Sequence, residues 1–200
     1  MKLVILDGVY PPAEDSWQTA RILSWVVKHL AGNSTMLKIV DVGSGSGVLT
    51  LTAVSESLKN NVGVWVLAID HDYLAATNTK LNLVNNNLYE YVDVVSTSTL
   101  DAIRDNAHFN IIVSNPPYLP GDWSEDWRIF GGLGGIEIAK RLVNEVCIGN
   151  KADIVVLTLS SLSDWEEVIK LLRDCNYKLV VMYSGHYFFE DIITIVFIIS

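Results

Sequence analysis

Asp41-Val42-Gly43-Ser44-Gly45-Ser46-Gly47 decides how this chain folds. The stretch closes an apolar, β-branched run, Leu37–Val42, and opens a helical pattern at Val48. A strand that turns through glycines into a helix is the opening unit of a doubly wound α/β sheet. The glycines permit the tight turn and let backbone approach a ligand closely. The spacing is G-x-G-x-G. Where the dinucleotide fingerprint G-x-G-x-x-G would require a glycine, this chain has Val48.

Outward from the loop, strand-like runs alternate with helical ones. The strands are expected at Leu37–Val42, Val64–Ile69, Val92–Val95, Phe109–Val113, Ile154–Leu159, Leu179–Tyr183 and Ile192–Ile199. Helical periodicity marks Asp15–Leu30, Val48–Leu58, Tyr73–Asn85, Ile136–Val146 and Asp164–Cys175. Such alternation argues for a parallel sheet with helices on both faces. Only Ser184–Asp191 separates the last two strands, too little for a crossover helix, so they should pair antiparallel. Five parallel strands, a helix and an antiparallel C-terminal hairpin make the class I methyltransferase layout, a Rossmann-like α/β fold with a seven-stranded, mostly parallel sheet. No repeat or linker interrupts the 200 residues, so residues 1–200 are read as one domain.

Half the residues are apolar and 18% are charged, as in a compact globular chain. The net charge of −9 weighs against a nucleic-acid substrate, which a basic face would normally meet. Cys147 and Cys175 are too few and too far apart for a metal knuckle or a disulfide framework, and each is expected to be a buried free thiol. No metal site is expected. The opening apolar run is too short for a signal peptide, and no stretch approaches a membrane span. A cytoplasmic protein is the simplest expectation.

Two carboxylates and one platform carry the chemistry. Asp41 at the mouth of the glycine loop would repel a pyrophosphate. S-adenosylmethionine, by contrast, has no phosphate and carries an ammonium and a sulfonium. Asp70 ends the second strand, 23 residues beyond Gly47, where an acid accepts hydrogen bonds from ribose hydroxyls. His71 reads as a solvated neighbour and Asp72 as the cap of the next helix. Asn115-Pro116-Pro117-Tyr118 follows the Phe109–Val113 strand. Each residue before a proline is pushed to extended backbone, and each proline lacks an N–H. The Asn115 side-chain oxygen and the Pro116 carbonyl therefore form a stiff pair of acceptors for a planar –NH2 group, with Tyr118 as a flat wall. A bare proline turn would look the same in isolation.

Together these features resemble the S-adenosylmethionine-dependent, HemK-like release-factor glutamine methyltransferases. Val9-Tyr10-Pro11-Pro12-Ala13-Glu14-Asp15-Ser16 is similar to the Y-x-P-A-E-D-[ST] motif of the eukaryotic and archaeal branch. Asp41–Gly47 is similar to the family's [DE]-V-G-x-G-S-G loop, Asn115–Tyr118 to its N-P-P-Y, and Gly131–Gly135 to its G-G-x-x-G stretch. N-P-P-Y alone also occurs in adenine and guanine methyltransferases. The resemblance implies that Asn115, with Pro116 and Tyr118, holds a glutamine amide, and that Asp41 and Gly43 border the methionine part of the cofactor. It further implies that Gly45 belongs to that loop, that Ser16 touches the cofactor and that Asp70 holds the ribose. Asp15 reads equally as a plain N-cap.

Two departures stand out. Ser96-Thr97-Ser98-Thr99 occupies the place of an acidic residue near the adenine, so Ser96 and Thr97 are the candidates there. Ser184-Gly185-His186-Tyr187-Phe188-Phe189-Glu190 replaces an arginine-bearing stretch in the last hairpin. The rival substrates are a nucleobase amino group and a protein lysine. Trp123 and Trp127 read either as core indoles of a short helix or as a lid over the Asn115 slot. The resemblance also implies a small zinc-binding activator, for which the edge strand Val92–Val95 is the expected pairing site.

Overall fold

The computed structural model describes residues 1–32 and 34–200, apart from the side chain of Trp123. Seven strands form one sheet: β1 (Met36–Val42), β2 (Gly63–Asp70), β3 (Val92–Ser96), β4 (Phe109–Ser114), β5 (Ala152–Ser160), β6 (Tyr177–Tyr187) and β7 (Glu190–Ile199). Their order is β3-β2-β1-β4-β5-β7-β6. Strands β1 to β5 pair in parallel, and β7 inserts antiparallel between β5 and β6. This is the class I methyltransferase topology, with β3 at one edge as expected.

Successive strand residues point to opposite faces, so near-continuous apolar runs feed two cores at once. Val40, Val42, Leu67, Ile69, Ile112 and Leu157 pack under α5 (Glu137–Cys147) and α6 (Trp165–Asp174). Leu37, Ile39, Val66, Ile111, Val113 and Val156 pack under α1 (Glu14–Ala31), α2 (Val48–Lys59) and the end of α3 (Tyr73–Asn85). A short helix, α4 (Trp123–Asp126), lies in the excursion after β4. No helix among the described residues is long and apolar enough to cross a membrane.

The structure corrects two expectations. The last strands are separated by Phe188 and Phe189 alone, because His186 and Tyr187 still pair with Asp191 and Glu190. β6 is an edge strand whose side chains are largely exposed, so its apolar signal fades before its backbone pairing does. Cys147 and Cys175 are not free thiols but form a disulfide, with Cα atoms 5.7 Å apart. Their separation of 28 residues concealed the pairing. α5 and α6 cover the same face and finish at the same end of the sheet, which brings the two cysteines together.

The N-terminal segment forms no strand, yet its backbone is paired. Asn78, Asn82 and Asn86 recur every fourth residue along α3 and so share one face. Their side-chain oxygens accept from Leu6 N (2.6 Å), Val4 N (2.8 Å) and Lys2 N (2.9 Å). Their amide nitrogens donate back to the carbonyls of Val4 and Lys2. Asn82 also donates to Ser46 O in the glycine loop, 2.8 Å away. The segment leading to α1 is thereby tied to the loop after β1.

Candidate active site

A cavity of about 450 Å³ opens at the C-terminal ends of the parallel strands. Open α/β sheets place ligands there because consecutive loops diverge on either side of the central strands. Ser16 of α1, Gly43, Gly45, Asp70, Thr97, Asn115 and Pro116 all line it. Asp41, Ser96 and Tyr118 are absent from its walls.

The glycine loop is built inward. Gly43 and Gly47 hold φ of 78° and 82°, a region unfavourable to any residue with a Cβ. At Gly47 a Cβ would also come within 3.2 Å of Thr79. Gly43 N and Ser44 N both donate to Ile69 O, Gly45 N to Asp70 Oδ2 and Gly47 N to Ser44 O. These amides are consumed by the protein, so the loop offers no nest of donors to a pyrophosphate. A cofactor without phosphate fits the loop.

Asp41 lies fully buried beneath the loop. Its Oδ2 accepts from the Thr50 hydroxyl at 2.6 Å, while Oδ1 has no partner. Burial pushes its carboxyl up to about 7 against the opposing hydrogen bonds from Thr50. Asp70 is on the cavity wall. Its oxygens accept from Gly45 N (2.8 Å) and Asp72 N (3.0 Å), and each retains a lone pair for a further donor. Burial raises the Asp70 carboxyl, opposed by those two amides. Asp72 caps α3 by accepting from Leu74 N.

At the end of β3 the exposed Ser96 is off the cavity wall, while Thr97, Ser98 and Thr99 just beyond it line the cavity. Glu145 of α5 accepts from the Thr99 hydroxyl (2.7 Å) and from Leu100 N (2.8 Å), which fixes this loop against the wall. Arg141, paired with Glu145 and Asp101, also reaches the cavity.

At the end of β4, Asn115 Nδ2 donates to Asp15 Oδ2 at 2.8 Å. A carboxylate oxygen accepts and cannot donate, so this contact sets which way the Asn115 amide faces. Its Oδ1 is left buried and without a partner. Asp15 is not the N-cap, a position taken by Ala13, but the second helical residue of α1. Its Oδ1 accepts from Ser16 N, and the Tyr10 and Tyr118 hydroxyls face the same carboxylate. Burial first, and the Asp15 charge second, hold both phenols well above their usual range. Tyr118 therefore buttresses Asp15 rather than walling the cavity. The sequence offered Asp15 within the Y-x-P-A-E-D motif and as a plain N-cap; the cap is Ala13, and the partnership with Asn115 had no local signal.

The excursion after N-P-P-Y closes over the cavity from the side of β2. Trp127 lines it and meets His71 edge-on, with ring centroids 4.5 Å apart. Arg128 donates to Gly8 O at 3.0 Å, which joins the excursion to the N-terminal segment. The Trp123 side chain lies outside what the structure describes, so only Trp127 can be placed.

Comparisons with known proteins agree with this fold. The model of the methyltransferase small domain matches residues 7–129. A putative protein N5-glutamine methyltransferase of Methanocaldococcus jannaschii is 31% identical over 98% of this chain and 94% of its own. The catalytic subunit of the eRF1 methyltransferase of Schizosaccharomyces pombe is 29% identical over 73% of this chain and 69% of its own. Among solved structures, the E. cuniculi Mtq2–Trm112 complex superposes with a TM-score of 0.67 at 22% identity, covering 96% of this chain and 99% of that one. A METTL16 methyltransferase domain gives 0.74 at 19% identity, over 100% and 89%, a likeness of fold. With the family model over more than half its length and a relative matched nearly end to end, the chain belongs to the small-domain methyltransferase family, in the branch of the protein glutamine N5-methyltransferases.

Proposed function

We propose that this chain transfers a methyl group from S-adenosylmethionine to the side-chain amide nitrogen of a glutamine, in the Gly-Gly-Gln segment of a peptide-chain release factor. The observation that carries this reading is the orphaned Oδ1 of Asn115, turned free by the bond from Nδ2 to Asp15. A buried acceptor without a partner costs about 1–3 kcal/mol, which an incoming N–H donor would recover. The names of the archaeal and fission-yeast relatives support the same substrate.

The residues present fit the cofactor. Gly43 and Gly45 give a cradle without phosphate donors, Asp70 offers acceptors to ribose hydroxyls, and Ser16 and Thr97 face the same space. Asp41 sits fully buried beneath the loop, off the cavity wall and bonded to Thr50, so its role is to hold the loop from below. When bound, S-adenosylmethionine supplies an electrophilic methyl group on a sulfonium.

Asn115 Oδ1 and the Pro116 carbonyl accept the two amide hydrogens and turn the nitrogen toward the cavity. An amide nitrogen is a weak nucleophile, and N-P-P-Y contains no general base. Orientation must supply the acceleration, and in well-aligned systems it contributes roughly 7–11 kcal/mol. The nitrogen becomes acidic only as its new bond forms, so its proton leaves late.

Asn115→Ala should keep its affinity for S-adenosylhomocysteine in calorimetry yet lose at least about 100-fold in release-factor methylation, the scale for one preorganised hydrogen-bonding group. Asp15→Asn, which frees the Asn115 amide to flip, should fall in the same assay without losing cofactor affinity. Near-normal turnover in both variants would rule out the acceptor platform. A tritium-transfer comparison of release factor with bulk RNA separates this reading from nucleobase methylation, which the charge of −9 disfavours.

The same proposal includes a small activator protein, as in the Mtq2–Trm112 complex. β3 pairs only with β2, so its outer edge is open, with Val94 half-buried and Val95 and Tyr89 exposed beside it. Strand addition by the activator would cover that edge.

A further inference from the structure

Three loops stand beside the Asn115 slot on the side away from β3. They are Gly131–Gly135 after N-P-P-Y, Ser160–Asp164 after β5, and the β6–β7 turn with its flanks, Ser184–Asp191. They are laced together: Asp164 N donates to Gly134 O (3.0 Å), Ser161 N to Asp191 O (2.9 Å) and the Ser160 hydroxyl to Glu190. The first loop rests on the acceptor platform itself. A Cβ on Gly131 would collide with the Pro117 carbonyl, and one on Gly135 with the Tyr118 carbonyl. A Cβ on Gly185 would collide with the Gln18 side chain, which itself donates to Ile192 O, so the hairpin packs on the helix that carries Asp15.

This rim is apolar and acidic. Leu133 and Phe188 are each 90% exposed, Phe189 is 77% exposed and Leu162 46%. Phe188 sits at φ 52°, a left-handed backbone that a phenylalanine adopts only under constraint. The three loops contain Asp164, Glu190 and Asp191 and no lysine or arginine. His186 is bonded to Asp191 at 2.8 Å. An exposed apolar cluster fringed by one sign of charge marks an interaction surface, and its complement carries the opposite charge.

We infer that this rim docks the protein substrate, binding a segment that combines apolar and basic side chains beside the target glutamine. The inference rests on the glutamine reading of the slot and adds the surface that selects the substrate. It assigns selection to Leu133, Phe188 and Phe189, outside the catalytic machinery. The same charge would repel a phosphate backbone.

The test measures KM and kcat on full-length release factor and on short Gly-Gly-Gln peptides with lysine or glutamate flanks. Phe188→Ser/Phe189→Ser and Leu133→Ser should raise KM for release factor by about tenfold or more, with kcat within about twofold, because docking is lost and chemistry is not. Cofactor affinity by calorimetry should be unchanged. Lysine-flanked peptide should outperform glutamate-flanked peptide, and its KM should rise with sodium chloride. Phe188→Gly removes the strained side chain without burying or exposing anything else, so it tests the rim even if the double variant folds poorly. Unchanged KM in these variants, or equal KM for the two peptides, overturns the inference while leaving the glutamine reading intact. Loss of dimerisation in the variants with unchanged KM assigns the rim to a second copy of the chain and also overturns it. A wild-type protein inactive on every glutamine substrate defeats the proposed function itself.

Discussion

Asp15 and Asp41 are both buried acids, and the fold uses them in opposite ways. Asp15 is surrounded by donors: Ser16 N, the Ser16 hydroxyl, Asn115 Nδ2 and two phenols facing it. Asp41 has the Thr50 hydroxyl on one oxygen and nothing on the other. Its carboxyl is therefore raised from its ordinary range to about 7. A raised folded-state pKa means that the native state holds the proton more tightly than the unfolded chain. That stability is fully present below pH 4 and is lost as pH climbs toward 7. Asp41→Asn removes this dependence. The stability of wild type relative to Asp41→Asn should fall by about 1.4 kcal/mol per pH unit between pH 4 and 7, then level off. Urea unfolding of both proteins across that range checks it, and a flat difference would show that Asp41 titrates normally. At this scale the sequence pointed to Asn115 and Pro116, which both line the cavity, because the two prolines constrain backbone locally. It did not disclose the role of Asp15, which depends on Asn115 lying 100 residues away in the chain.

The asparagines of α3 show the same limit one level up. Three polar residues at four-residue spacing share one helix face, but the spacing does not say what that face meets. In the fold, Asn78 and Asn82 are fully buried, and they pair the N-terminal segment that has no strand of its own. Asn82 is the most committed, serving Val4 N, Val4 O and Ser46 O. Asn82→Leu nearly preserves volume but strands these groups, at a cost of about 1–3 kcal/mol for each one left unsatisfied. A stability loss of about 3 kcal/mol in urea, with faster hydrogen exchange at Val4, is expected. Asn86→Ala, at the exposed end of the same ladder, should cost less than about 1 kcal/mol. Equal effects would mean that the ladder is decoration. By contrast, a buried polar seam farther along the same face, under α1, has no local signal at all. There Thr19 and Thr194 flank Thr158, and Gln18 donates to Thr194. It seats the helix carrying Asp15 against β5 and β7, and it is visible only once those strands are adjacent.

At the scale of the whole molecule, strand number and strand direction were legible because apolar runs and connection lengths constrain topology, and the β3 edge followed from the class I sheet order. The covalent link between α5 and α6 was not. Cysteine pairing depends on which helix ends coincide in space, and in sequence each cysteine simply continues an apolar stripe. The disulfide closes the segment that contains β5 and α6, and so ties the C-terminal hairpin region to the helix that carries Arg141 and Glu145. Restricting the unfolded chain over 28 residues contributes about 3–4 kcal/mol in the loop-entropy account. Alkylation of the denatured, unreduced protein should therefore label no thiol, and full reduction should expose two. Cys147→Ser should lower the unfolding free energy by about 3 kcal/mol relative to the oxidised protein and leave the reduced protein nearly unchanged. Because the link spans the face opposite α1, it should leave cofactor affinity intact at temperatures well below unfolding. Two labelled thiols without reductant, or a Cys147→Ser variant as stable as the oxidised protein, would show that the two helices hold together by packing alone.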